Sequence, residues 1–115
     1  MTLDKLDGVV AAPDHHEVLF ENDQVRVLET SIRASGITPL HTHLPRTVVY
    51  VVSGSHFIRR DELGATLFDT RADPAFVLPR VSFSPSNPKH TLENTGPDDL
   101  LIIGVELKAA TRPVS

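Results

Sequence analysis

Two histidines one residue apart, His41 and His43, are the side chains whose type and spacing could most clearly do chemistry. In an extended strand, residues i and i+2 project from the same face, so the two imidazoles point together. Both rings can then reach one divalent ion at the usual nitrogen–metal distance of about 2.0–2.1 Å. Pro39 and Pro45 bracket the pair and restrict the backbone, which suits a preorganised site and a simple turn equally well. The pair alone therefore leaves open whether it is a metal site or two surface histidines.

A third histidine, His90, begins another short predicted strand, after a turn rich in Pro and Asn that starts at Pro85. If the strands close into a barrel, this imidazole can join the first two. Three nitrogen ligands leave coordination positions open for water or substrate, as at catalytic metal sites. We therefore predict a divalent metal cofactor bound by His41, His43 and His90. We expect iron(II), with Zn²⁺, Ni²⁺, Mn²⁺ and Cu²⁺ as alternatives, because imidazole nitrogen discriminates weakly among such ions.

The composition excludes several other kinds of chemistry. The chain has 115 residues, enough for one domain with its own core, and it contains no cysteine for disulfides, thiolate metal sites or a thiol nucleophile. Its formal charge is -4 with the two signs interspersed, so we expect no nucleic-acid partner. The apolar runs are far shorter than a membrane span, and residues 1–10 lack a signal-peptide pattern. We expect a cytoplasmic protein without a membrane partner.

Short apolar segments separated by Pro and Gly predict the elements that must hold these histidines. The segments are QVRVLETSI, TVVYVVSG, SHFIRR, ATLFDT, AFVLP, RVSFSP, HTLENTG and LLIIGVELK. Many short strands at regular spacing predict a β-sandwich or a barrel. We expect one domain over residues 1–115, with a barrel core at about 18–108 and arms at 1–17 and 109–115. In the first arm, we expect His15 and His16 to be solvated.

The spacing of these residues resembles the first motif of the cupin family. That motif has a glycine, H-x-H, three or four residues, a glutamate, six residues and a second glycine. This chain has Gly36, the two histidines, Thr47 at the glutamate position, and Gly54. Family members with the full motif use the glutamate as a fourth metal ligand, and a neutral threonine hydroxyl is a poor substitute. The resemblance therefore implies a three-histidine variant.

The second cupin motif, P-x-G-x-x-H-x-x-x-N, is matched by Pro85, Asn87, His90 and Asn94. The resemblance spans about residues 18–108 and implies an all-β fold, the double-stranded β-helix of a cupin or jelly-roll barrel. A site of three neutral imidazoles leaves the charge of a divalent ion uncompensated. Such a site should favour anionic or chelating ligands.

Alternation along the predicted strands, taken with the resemblance, indicates which side chains face the cavity. They are Thr47, Val49, Val51 and Phe83. Glu106, in the last predicted strand, is an inward carboxylate and our candidate for a catalytic general base. We place Arg59 and Arg60 at an exposed strand end rather than in an anion-binding site.

Three functions remain open at this stage. The three-histidine cupins include thiol dioxygenases and a diketone-cleaving dioxygenase that use iron(II), so the resemblance implies an iron-dependent oxygenase acting on a small chelating organic molecule. The first alternative is a non-redox lyase or isomerase, in which the metal acts as a Lewis acid and Glu106 as the base. The second is a protein that binds or senses a small molecule without turnover, and the fold could also have kept its shape after losing the metal. We expect a homodimer, as is frequent in the family.

Overall fold

The chain folds mainly into β-strands, and the computed structural model describes residues 5–108. A short helix, α1 (Gly8–Ala11), comes first. The strands are β1 (His16–Glu21), β2 (Val25–Ile32), β3 (His41–His43), β4 (Arg46–Ser53), β5 (Phe57–Asp61), β6 (Thr66–Asp69), β7 (Arg80–Ser84), β8 (Asn87–Asn94) and β9 (Leu100–Leu107). A 3₁₀ turn at Thr70–Ala72 follows β6. The predicted all-β class is confirmed.

The strands pair in an antiparallel manner and form two sheets. One sheet has the order β1-β2-β9-β4-β7, and the other has the order β3-β8-β5-β6. Within the predicted arm 1–17, the described residues pack on the sheets: α1 contacts β3, and β1, which begins at His16, pairs with β2. The other predicted arm, 109–115, lies outside the described residues.

Alternation decides which side chains face the space between the sheets. In β4, Thr47 and Val51 are buried whereas Tyr50 is exposed, as a period of two residues requires. In β2, the buried face carries Arg26 and Leu28. A charged group on an inward face is costly unless it is paired, so the position of Arg26 requires buried acidic partners.

The hydrophobic core lies between the two sheets. Its buried members are Ile32, Val51, Phe57, Leu92 and Leu100. Phe76 and Leu78 pack against this cluster from residues 75–79. The prediction of a strand there was wrong, because the segment is irregular. Pro74 precedes it and Pro79 is its last residue, and proline cannot donate the backbone hydrogen bond that a strand ladder needs.

Two motif residues shape the connections around the core. Gly54 directly follows β4 with a φ of +123°, and a Cβ there would lie 2.9 Å from Cδ1 of Leu100, so the turn requires glycine. Asn94 is fully buried at the end of β8. Its Nδ2 donates to the carbonyl oxygens of Ile32 at 2.9 Å and of Asp98 at 2.8 Å. This side chain therefore ties β8 to the end of β2.

Candidate metal centre

Four histidine rings lie together at the wall of the space between the sheets. The ring centroid of His41 lies 4.9 Å from those of His16 and His43, and 4.4 Å from that of His90. One ring nitrogen from each of His16, His41 and His43 lies within 4.8 Å of the other two. Two nitrogens bound to one ion are at most about 4.2 Å apart. Small ring rotations would therefore bring these three onto a single divalent ion.

Three strands from distant parts of the chain position the rings. His41 and His43 stand at the two ends of β3, one residue apart, and so share a face. His90 is the direct cross-strand partner of His41 on β8. Its ring lies 5.7 Å from that of His43 and outside the tight group of three. His16 comes from the start of β1, in the other sheet.

Three of the rings are held by a backbone carbonyl at Nδ1. The Nδ1 atom of His41 lies 2.8 Å from the oxygen of Pro39, and that of His90 lies 2.7 Å from the oxygen of Pro88. The Nδ1 atom of His16 lies 3.0 Å from the oxygen of Ala12. Because a carbonyl oxygen only accepts hydrogen bonds, Nδ1 is the donor in each neutral ring. Nε2 is then left with a free lone pair, the form that binds metals.

The fourth ring, His43, is oriented by a buried carboxylate. Its Nδ1 lies 3.3 Å from Oε2 of Glu106. The other oxygen of Glu106 accepts from Nε of Arg26 at 2.6 Å, and Nη2 of Arg26 donates to Asp7 at 2.8 Å. A carboxylate that accepts from a histidine fixes the ring and makes it a better metal ligand. The chain Asp7–Arg26–Glu106–His43 thus supports the cluster from behind.

Burial keeps three of the four rings in the neutral state that a metal needs. Burial lowers the pKa of His41 to about 3, against hydrogen bonding to Pro39. It likewise lowers the pKa of His16 and of His90 to about 4. Burial tends to raise the pKa of Glu106, but hydrogen bonds from His43 and Arg26 outweigh it, so the net pKa is lowered. At pH 7 the centre therefore combines the neutral imidazoles of His16, His41 and His90 with an ionised carboxylate.

The Nε2 atom of His16 is buried and has no hydrogen-bond partner within the described residues. A buried polar atom of this kind is costly unless a further group binds it. The backbone of Gly8 closes one side of the cluster, since an added Cβ there would lie 3.3 Å from this Nε2 and 2.5 Å from Cε1 of His43. The donor set therefore fits a divalent metal that is approached from the cavity.

A cavity of about 400 Å³ opens beside the cluster, and all four histidines line it. Thr47, Val49 and Val51 line it as well, and Phe83 borders it. Phe83 pairs with Val48 across β4 and β7 and is 56% exposed, so it contributes mainly to the outer face of the sheet. The inward carboxylate of Glu106 also reaches the cavity.

Sequence reasoning missed His16 as part of this site. The expectation that it is solvated was wrong, because the residue is buried against His41 and His43. His15, by contrast, directs its Nδ1 to the carbonyl oxygen of Ser31 at 3.1 Å, in an exposed position. The one signal for His16 in the sequence is the strand-like segment HEVLFE, because His16 is the first residue of this apolar strand.

Comparison with solved structures identifies the architecture. A cupin domain from Bordetella pertussis Tohama I superposes with a TM-score of 0.66 at 20% identity, over 82% of this chain and 92% of that one. An RmlC-like cupin family protein with a double-stranded β-helix fold, from Methanocaldococcus jannaschii, gives 0.60 at 15% identity, over 80% and 77%. A cupin superfamily protein from Desulfitobacterium hafniense DCB-2 gives 0.56 at 14% identity, over 82% and 76%.

At these identities the likeness shows the fold and carries no information about the substrate. No protein-family model and no curated protein matches the sequence. Within residues 5–108, no helix is long and apolar enough to cross a membrane.

Proposed function

For a chain with the double-stranded β-helix fold of the cupins, we propose that its function depends on a divalent metal bound by His41, His43 and His90, with His16 as a further ligand. The observation that supports this most strongly is the hydrogen bonding at Nδ1, which leaves Nε2 free in all four rings. His16 then supplies, from β1, the ligand that Thr47 does not provide.

We further propose that the metal is iron(II) and that the protein is an oxygenase acting on a small chelating organic molecule. Iron held there would supply the one-electron chemistry that dioxygen requires. The residues of this chain would position the ion, exclude bulk water and hold the substrate. The cavity supports this role, because about 400 Å³ is at the lower end of the volumes that small-molecule sites have.

A lyase or isomerase would need a protein base, and the geometry offers little support for one. Glu106 is the one acidic residue that lines the cavity within residues 5–108. Both of its oxygens are engaged, one by Arg26 and the other by His43. Its lowered pKa makes it a weak proton acceptor. We assign Glu106 to orienting His43 rather than to proton abstraction.

A binding or sensing protein would be favoured by a cavity whose polar groups were the histidines alone. The cavity also presents Ser82, Ser84 and Asn87, together with Arg59. These groups can hold one orientation of a polar molecule, as an enzyme that positions its substrate must do. These polar groups favour an oxygenase over a protein that only binds a ligand in an apolar cavity.

Oxygen consumption tests the oxygenase proposal. Metal-free protein would be loaded anaerobically with iron(II) or, as the matched control, with Zn²⁺, and then given 1,3-dicarbonyls and small thiols in an oxygen electrode. We expect substrate-dependent oxygen uptake with iron and none with zinc. Full iron loading without uptake for any compound of these two classes would contradict the proposal.

We also propose that the protein is a homodimer joined through the outer face of the five-stranded sheet. Val48 pairs with Phe83 and Tyr50 pairs with Val81 on that face, and all four side chains are exposed. A contiguous apolar patch of this kind is uncommon on a monomer, and a second copy can cover it in a self-complementary way.

A cytoplasmic location and a single domain over residues 1–115 also remain predictions.

Replacing an apolar residue in this face by a charge should dissociate the dimer. We expect Tyr50→Asp to sediment as a monomer in analytical ultracentrifugation, because the buried charge would have no partner. Leu63→Asp is the matched control, since Leu63 lies 90% exposed in a turn and should leave the dimer intact. A monomeric wild-type protein at about 100 μM, far above the Kd range of stable dimers, would contradict this interface.

A further inference from the structure

Arg59 points into the cavity rather than to the solvent. It is opposite Leu92 on β8 and opposite Phe68 on β6, and both partners line the cavity with it. Cross-strand partners share a face of the sheet, so the guanidinium extends between the two sheets. The expectation of an exposed strand end is therefore wrong for this residue.

The guanidinium of Arg59 has no acidic partner among residues 5–108. Its Nε atom is buried and forms no hydrogen bond there. Its neighbours are satisfied, because Arg60 pairs with Glu93 and Arg80 pairs with Asp73. Burial lowers the pKa of Arg59, yet a guanidinium stays charged at pH 7. A half-buried charge that is left unpaired is stabilised by an anion that residues 5–108 do not provide.

The described part of the cavity wall supplies no such anion. The carboxylate of Glu106 is already bound by Arg26 and His43. The remaining walls near Arg59 are apolar, formed by Phe57, Phe68 and Leu92. An anionic ligand with a carbon skeleton would satisfy both the charge and these walls.

Arg59 lies within reach of the metal cluster. The direct partner of His90 across β5 and β8 is Asp61, so Arg59 is the diagonal neighbour of His90. Diagonal neighbours on one face have backbone positions about 7–8 Å apart. The electrostatic effect of Arg59 on His90 agrees with this proximity. One small molecule can therefore contact the guanidinium and the histidine cluster at the same time.

We infer that Arg59 is an anion subsite, and that the molecule this cavity takes is a small organic acid whose carboxylate pairs with Arg59 while its other end faces the four histidines. The carboxylate subsite stands on the cavity alone. The statement that the acid is the substrate rests on the function proposed above.

The number of free donors favours a carboxylate over a phosphate. A guanidinium presents two parallel N–H groups that match one planar carboxylate. Phosphate sites usually combine several cationic side chains or a run of backbone amides. Here the second guanidinium, Arg80, is held by Asp73 and lies 5.4 Å above the ring of Phe76. Of these two guanidinium groups, that of Arg59 therefore remains free to bind one monoanionic group through two N–H donors.

An NMR titration of metal-free protein tests this subsite without reference to the metal. The probes are sodium butyrate and sodium 2-oxobutyrate, with butyramide as the neutral match and sodium phosphate as the competing anion. We expect the two carboxylates to bind and to shift the Arg59 Nε–H resonance, and butyramide and phosphate to bind much more weakly. Phosphate binding more tightly than either carboxylate would overturn the carboxylate assignment.

Variants locate the binding. Arg59→Gln should weaken carboxylate binding about 10- to 100-fold, the range of a charge-assisted hydrogen-bonded pair. Arg59→Lys keeps the positive charge but not the two parallel N–H donors, so it should lose less carboxylate affinity than Arg59→Gln. Arg60→Gln is the matched control, because Arg60 pairs with Glu93 and is not part of the cavity wall, and it should bind as the wild type does. Equal affinity in Arg59→Gln and wild type, both folded by circular dichroism, would overturn the inference.

The two proposals fail in different ways. A wild-type protein that binds metal at the histidines but shows no Arg59-dependent carboxylate binding would refute the subsite and leave the metal proposal standing. Carboxylate binding that is lost in Arg59→Gln, in a protein that takes up no metal, would support the subsite and refute the metal function.

Discussion

The His41→Ala protein should bind a divalent metal at least about 100-fold more weakly than the wild type, and should retain under about one-tenth of its metal after dialysis. Loss of a mere hydrogen-bond partner of a ligand already costs about 10- to 100-fold, so loss of the ligand costs more. His41 is the central ring of the cluster and contacts the other three. Elemental analysis after loading and dialysis measures the effect.

Matched variants test whether metal binding requires the clustered histidines or any histidine of the chain. His56→Ala should keep its metal, because His56 bonds Thr70 outside the cavity. The neighbouring pair His15 and His16 gives a sharper control, since the first is bonded to a backbone carbonyl at the surface and the second lies in the cluster. His16→Ala should weaken metal binding and His15→Ala should not. Equal metal content in all of these variants would mean that the metal is bound elsewhere.

The Arg26→Met protein should lose about 3–5 kcal/mol of unfolding free energy, the usual cost of breaking a buried ion pair by removing one partner. Arg26 bridges two buried carboxylates, Asp7 and Glu106, and the methionine would leave both without it. Urea unfolding of metal-free protein measures the loss apart from any effect on metal binding. We expect a fall in the unfolding midpoint.

Arg60→Met is the control for that measurement. The ion pair of Arg60 with Glu93 is partly exposed, and its loss should cost under about 1 kcal/mol. If Arg26→Met proved no less stable than Arg60→Met, the chain Asp7–Arg26–Glu106 would not be the support for His43 that its hydrogen bonds indicate.

The sequence predicted those parts of the site that depend on local geometry. His41 and His43 share a face because they are two residues apart in a strand, and this holds wherever the strand lies. Thr47 and Val51 face inward for the same reason. The all-β class followed from the short apolar segments, although the strand predicted at 75–79 does not form.

The parts that the sequence did not predict depend on contacts between distant strands. His16 joins the cluster because β1 pairs with β2 in the sheet opposite β3, and no local pattern encodes that approach. Arg26 and Arg59 are charged residues on inward faces, where hydrophobic patterning expects apolar side chains. Arg26 has acidic partners and Arg59 has a cavity, and both arise only when the two sheets pack together.

X-ray absorption spectroscopy of the metal-loaded protein is the most direct test of the histidine metal centre, since it counts the atoms bound to the metal. We expect one ion per chain with three or four imidazole nitrogens at about 2.0–2.1 Å and the remaining positions filled by oxygen donors. In His41→Ala, any metal that is retained should have one imidazole ligand fewer. A shell of oxygen atoms alone, or a protein that takes up no stoichiometric metal under anaerobic loading, would contradict a histidine metal centre in this fold.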